Sequence, residues 1–299
     1  MNKTMIFLLI IFSLTLITPH AFSEKPGSLD LKQIENLTGV KGEFDPEFNV
    51  FKVFSPRTDL KVTAAGVKLT PALGLTSWAS FKSLSSEVEM RGDIVLFEDQ
   101  INLIMQEALD HGLNITALHN HYLWDTPRIM FMHIEGKGNL KELATAVGKV
   151  FEKIKRTSIG TLWKRPLSII NPEKSTLNSK NIEEALGKKG AQKEGVTTFI
   201  WGTETKMNDS EMGGSRGVNT WVSFAGTDRE AVMLGDIAMK EGEVQNVLKS
   251  LLKHNIFIIS LHQHMKGEAP RLMGVHYMGR GSALELAKVL KETLEFTPQ

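Results

Sequence analysis

Apolar and polar positions alternate in short runs, and these runs are interrupted by stretches of helical spacing. Leu31 to Leu37 has one apolar face and stops at Gly39, a usual helix end. Asn49 to Phe54, Leu60 to Leu69, Trp78 to Phe81 and Val88 to Phe97 read as strands. Gln100 to His111 returns to helical spacing and ends at Gly112. Ile115 to His121 and Arg128 to Ile134 read as two strands joined by a short connection, and Leu140 to Lys153 as an amphipathic helix. Asn139 with Glu142, and Ser282 with Glu285, carry the cap-x-x-Glu signature of a helix start. Strands, helix, two strands, helix predict an α+β fold: an antiparallel-rich sheet with helices packed on one face.

The pattern occurs twice. With a shift of 143 residues, Trp78 falls on Trp221, Gly92-Asp93 on Gly235-Asp236 and His111 on His254. The same shift lays His119 and His121 on His262 and His264, Pro127-Arg128 on Pro270-Arg271, and His133 on His276. Upstream, Ile34-Glu35 meets Ile182-Glu183 at a shift larger by five residues, so the second copy has a deletion between these blocks. Two tandem units are expected, 24–155 and 177–299, in a pseudo-twofold arrangement and joined by a linker over 156–176 that contains Pro166 and Pro172.

The first 23 residues stand apart. Lys3 precedes an apolar run from Met5 to Ile17, Pro19 breaks it, and Ala21-Phe22-Ser23 offers a small-residue cleavage site. This predicts a cleavable signal peptide and a periplasmic or secreted product with no membrane segment after cleavage. The chain has no cysteine, which excludes disulfides, thiolate ligands and a lipid-modified cysteine. A net charge of +1 provides no field for nucleic acid. There is no P-loop, no Rossmann fingerprint and no Ser-His-Asp order.

The chemistry is concentrated in histidine. Eight of the nine histidines lie in the repeats, and every one in the first copy recurs in the second although most other positions differ. His119 and His121 are two apart at a strand end, which puts both rings on one face. With His133 from the next strand they form a candidate site for zinc or copper, repeated as His262, His264 and His276. The alternatives are a polar or catalytic role without metal, and imidazoles satisfied within the fold. Met130 and Met273 are read as core, with copper ligation as the rival. Arg128 and Arg271 are expected either to pair internally, with Asp93/Asp236 or Glu98/Glu241, or to grip a small anionic ligand. Asp93 and Asp236 are also placed to orient a ligand histidine. If the centre is catalytic, metal-assisted hydrolysis with Asp93 or Glu98 as general base is the simplest chemistry. His111 and His254 read as helix-end cations, the Gly136-Lys137-Gly138 segment as a tight turn, and Trp78 and Trp221 as core aromatics.

The run Ala117-Leu118-His119-Asn120-His121, with Pro127-Arg128, with Met132 to Gly138 and with Met90 to Ile94, resembles the bacterial LppY/LpqO-type exported family. The resemblance covers most of the chain after the signal in both copies. It implies export and duplication but no activity. The named family members are lipoproteins, and the missing cysteine departs from them. In the second copy Gln263 replaces Asn120, and Lys266-Gly267-Glu268 replaces Leu123-Trp124-Asp125, which predicts two sites that differ in ligand.

Overall fold

A computed structural model describes residues 29–157, 169–203, 205–207, 209–213 and 217–297. The expected signal segment and part of the expected linker lie outside these residues. Each copy contributes six strands to one main sheet and three α-helices. In copy one these are α1 (Leu31–Thr38), β1 (Gly42–Asp45), β2 (Val50–Pro56), β3 (Thr76–Ser83), β4 (Val88–Phe97), α2 (Ile101–Asp110), β5 (Asn114–His119), β6 (Ile129–Gly138) and α3 (Leu140–Arg156). Copy two repeats the order as α4 (Ser179–Leu186), β7 (Ala191–Lys193), β8 (Val196–Gly202), β9 (Asn219–Gly226), β10 (Ala231–Lys240), α5 (Val244–Lys253), β11 (Phe257–Gln263), β12 (Leu272–Gly281) and α6 (Ala283–Leu294). No described helix is long and apolar enough to cross a membrane.

Local signals explain most of the element ends. Asp30 caps α1 by accepting from the Gln33 amide, and Gly39 closes the helix at φ +70°. Asn139 caps α3 by accepting from Lys141 and Glu142, whereas the Ser282 side chain makes no capping bond to α6. Along α3, Leu143, Ala144, Val147, Val150, Phe151 and Ile154 form one buried stripe. Each larger side chain there contributes about 1.5–3 kcal/mol by leaving water.

The twelve strands form one continuous antiparallel sheet in the order β1-β2-β3-β4-β6-β5-β11-β12-β10-β9-β8-β7. The order reads the same from both edges once copies are exchanged, so the pseudo-twofold axis passes between β5 and β11. All six helices share one face, over a core that runs through both copies. The two halves are therefore one body. The seam rests on the pairing of Leu118 with Leu261, both fully buried on the helix side. Two carboxamides reinforce it. Asn102 of α2 accepts from Ile258 N at 3.1 Å and donates to Ile256 O at 2.8 Å. Its counterpart Gln245 of α5 accepts from Ile115 N and donates to Ile115 O, both at 2.9 Å.

The other face carries no helix. In copy one, 57–75 folds over part of it. Leu60, Val62, Ala64, Leu69 and Leu75 pack onto Val95, Ile129 and Phe131. The buried Arg57 anchors this segment through two 2.9 Å bonds to Asp59 and further bonds to Val95 O and Gln100. Residues 60–69 are thus a cover and not a strand of the main sheet. Their apolar side chains are buried by lying across the sheet, which mimics a half-buried strand in the pattern. In copy two the counterpart between β8 and β9 is shorter in sequence, and its Met212 and Val218 pack on Leu272. Three residues of the five-residue deletion fall here, and the other two fall in the turn between the first two strands, where Asp45 pairs with Val50 but Lys193 with Val196. The structure also adds the edge strand β1 and runs β6 on to Gly138, beyond the Ile134 limit expected from the sequence.

Asn102 is buried, and its loss leaves the Ile258 amide without its side-chain acceptor at the seam. Asn102→Ala is expected to lower stability by about 1–3 kcal/mol, read as a lower urea midpoint with an unchanged slope.

Candidate metal centre

In copy one the helix-free face brings together residues from three neighbouring strands. Asp93 on β4 lies directly opposite His133 on β6, and Trp78 on β3 lies opposite Asp93 on the other side. On β5, an irregularity in register between Ile115 and Ala117 sets Ala117 against His133 and His119 against Phe131. Such bulges re-aim a side chain. Leu118 and Met132 are buried on the helix side, so the pleat turns His119 and His133 to the open side.

His121 reaches the same place by a different route. It lies beyond the end of β5, so pleating does not orient it. Its ring stacks on Phe131, with centroids 3.4 Å apart and planes 7° from parallel. Phe131 is in turn held by the 57–75 cover. Behind the loop, the buried Asp125 accepts from Ile129 N at 2.8 Å, and the Tyr122 hydroxyl donates to Leu73 O.

The imidazoles of His119, His121 and His133 each present a ligand nitrogen, all within 4.8 Å of one another. The Nε2 atoms of His119 and His133 are 3.2 Å apart. Two nitrogens on a tetrahedral zinc ion at 2.0–2.1 Å stand about 3.3 Å apart, so this edge already has the required length. Asp93 Oδ2 lies 3.9 Å from His133 Nε2 and 4.0 Å from His121 Nε2, slightly beyond that edge.

The electrostatics also fit a cation. Burial pushes the Asp93 carboxyl above its ordinary value, against the pull of His133, His121 and His119. Burial likewise holds His121 below its ordinary value, which favours the neutral imidazole that ligates metal. Both shifts disfavour an internal ion pair. Asp93 Oδ1 is buried with no hydrogen-bond partner. A desolvated carboxylate with an unpaired oxygen beside three converging imidazoles suits a divalent ion.

Copy two repeats the frame with different packing. Asp236 lies opposite His276 and Trp221, and its Oδ1 is again buried and unpartnered. Asp236 Oδ2 stands 3.9 Å from His264 Nε2 and 4.0 Å from His276 Nε2. The divergence traces to one position. Where copy one has Phe131, copy two has Gly274, and a Cβ there would lie 2.9 Å from His262 Cε1 and 3.3 Å from Asp236 Oδ1. The His262 ring occupies that space, stacked on His276 at 5.2 Å. Among the described residues, only the copy-one set brings three such ligand atoms within 4.8 Å. Burial lowers the His262 pKa.

The flanks differ as well. Beside Asp93 and His133 lies a cleft of about 170 Å³, lined by Trp78, Arg91, Thr116 and Glu135. The matching positions in copy two are Trp221, Leu234, Ile259 and Met278, and the last three are exposed apolar side chains.

The remaining candidates separate clearly. Arg128 Nε lies 4.0 Å from Glu98 and Arg271 Nη1 lies 3.1 Å from Glu241, both as exposed pairs away from the histidines. Glu98 follows the end of β4, so Asp93 is the carboxylate set among the histidines. Met130, Met132 and Met273 belong to the helix-side core and do not join the imidazoles. His111 and His254 cap α2 and α5, with Glu107 and Glu292 as their partners. Trp78 and Trp221 are on the helix-free face, contrary to the core reading, and Lys52 Nζ sits 3.8 Å over the Trp78 ring. Glu268 keeps the structural role of Asp125, accepting from Leu272 N at 2.9 Å, so this replacement does not alter the ligand set.

The Asp93 shift has a sign that can be tested. A carboxyl raised in the fold binds protons more readily than in the unfolded chain. Metal-free stability therefore falls as pH rises through its folded pKa, and the penalty vanishes below the ordinary carboxylate value. Chelator-treated Asp93→Asn is expected to melt higher than the parent at alkaline pH and to lose this part of the pH dependence, as read by calorimetry.

No curated protein and no solved structure matches the chain. A family model described as a domain of unknown function, DUF1259, matches twice, at residues 32–153 and 180–296. The two matches fall on the two halves of the sheet, and the chain belongs to the DUF1259 family as a tandem pair of its domains.

Proposed function

We propose that this is an exported protein that binds a transition metal, zinc or copper, through His119, His121 and His133 with Asp93 beside them, and through His262, His264 and His276 with Asp236. The observation that carries this reading is the convergence of three imidazole nitrogens within 4.8 Å on a buried carboxylate whose second oxygen has no partner. Zinc is the better fit in copy one, because the donors are nitrogen and oxygen, the His119–His133 edge has the tetrahedral length and the nearby thioethers point into the core. Export rests on the signal-like residues 1–23 and on the LppY/LpqO resemblance, and with it a periplasmic or secreted location.

The cleft beside Asp93 supports a catalytic role, which we assign to hydrolysis. A bound zinc ion supplies Lewis acidity to a polarised substrate group. The chain's own residues do the rest. Trp78 and Arg91 line the cleft where a substrate rests, with Arg91 held toward Glu89 at 2.9 Å. Asp93 Oδ1 has no partner and can hold a proton, and burial raises the pKa of this carboxyl, the direction that suits a general base. The rival reading, a metal-free site gripping a small anion through Arg128 and Arg271, is weakened by their pairing with Glu98 and Glu241.

Elemental analysis tests the metal directly. The purified protein is expected to carry up to one ion per copy. His121→Ala is expected to remove the copy-one ion, and His121→Ala with His264→Ala to remove both. Zinc at about 100 times its Kd is expected to stabilise the parent by about 2.7 kcal/mol for each ion bound and the double variant not at all. Unchanged metal content in the double variant excludes this coordination set.

A further inference from the structure

Because the sheet is continuous, its register relates the two histidine sets across the seam. Antiparallel pairing of Leu118 with Leu261 places Ala117 opposite His262 and His119 opposite Ser260. Adding the neighbouring pairs gives two adjacent rungs on the helix-free face. One runs Asp93, His133, Ala117, His262, and the next runs His119, Ser260, His276, Asp236. His119 and His262 are thus diagonal neighbours across the seam, with Cβ atoms on the order of 7–8 Å apart. Two carboxylates and four of the six imidazoles lie on one strip of a single sheet face.

Only Ala117 and Ser260 lie between the two sets. They are equivalent positions in the two copies, both are partly exposed, and neither side chain is large enough to form a wall. The centres are separated by two to three strand spacings of about 4.8 Å, roughly 10–14 Å. That is too far for one bridging atom, which needs metals about 3.5–4 Å apart. It suits a molecule with a donor group at each end.

We infer that the two histidine sets are the two ends of one bipartite site, which holds a single elongated ligand at two points across the Ala117/Ser260 floor. The ligand class is a molecule carrying two metal-coordinating oxygen groups roughly 10–14 Å apart, the span set by the strand spacing. This rests on the metal reading above and adds to it that both ions serve the same ligand.

The test uses the full chain loaded with two zinc ions and a series of α,ω-dihydroxamic acids with spacers from about 6 to about 16 Å, compared with acetohydroxamic acid by titration calorimetry. The expected result is one dihydroxamate per two ions, an optimum at an intermediate spacer, and a gain of about 10²-fold or more over the single group. His121→Ala and His264→Ala should each reduce binding to the single-group level. Ala117→Phe alters no histidine or carboxylate. It should keep both ions and the acetohydroxamate affinity while abolishing the length optimum. Two bound ions with no length optimum, or an optimum that survives Ala117→Phe, would overturn the bipartite site and leave the metal reading intact. Binding of one ion only would overturn the bipartite site, and binding of none would overturn both.

Discussion

The pairing of one strand from each copy at the centre of the sheet is the constraint on which the rest depends. It joins two six-stranded halves without a break, lets one apolar core run beneath both, and fixes how every side chain on the helix-free face of one copy stands to its counterpart. A one-residue slip at Leu118/Leu261 would turn one of the two leucines out of the core and the strand histidine beside it into the core. The Asn102 and Gln245 carboxamides bind the backbone of the opposite copy on either side of that pair, so the register is held by polar bonds as well as by burial.

Within each half the site is made by conflict between solvation and charge. Asp93 and Asp236 sit in the sheet with one oxygen unpaired, and burial disfavours the ionised form of Asp93 in copy one and the charged form of His262 in copy two. The strands impose this, because a residue facing a histidine across a sheet cannot turn away from it. Copy one relieves crowding by stacking His121 on Phe131, which the 57–75 cover supports. Copy two has no ring at Gly274, and His262 settles there. One aromatic position thus decides whether three nitrogens gather closely or spread.

Much of this architecture was legible in the sequence. The helix α3 was, because Leu143 to Ile154 keep strict spacing and Asn139 marks its start. The duplication was legible through histidines that recur where most neighbours differ. Leu60 to Leu69 was misread because apolar residues laid across a sheet have the same pattern as residues within one. Trp78 and Trp221 were misread as core, although alternation around Ala79 and Val222 already assigns them to the other face. The roles of Phe131 and Gly274 left no trace, since a stacking platform and its absence look like any other difference between copies. The seam was equally silent, because Leu118 and Leu261 pattern as ordinary core leucines.

The palindromic strand order has a consequence for the history of the molecule. A single copy on its own would end at β5 as an open edge, and an identical partner turned by half a rotation would complete it, as in a self-complementary homodimer. Fusion of two such partners into one polypeptide removes the obligation for both halves to change together. The exposed Leu234, Ile259 and Met278 in one half, facing Arg91, Thr116 and Glu135 at the same positions of the other, are differences that a symmetric dimer of identical chains has no means to encode.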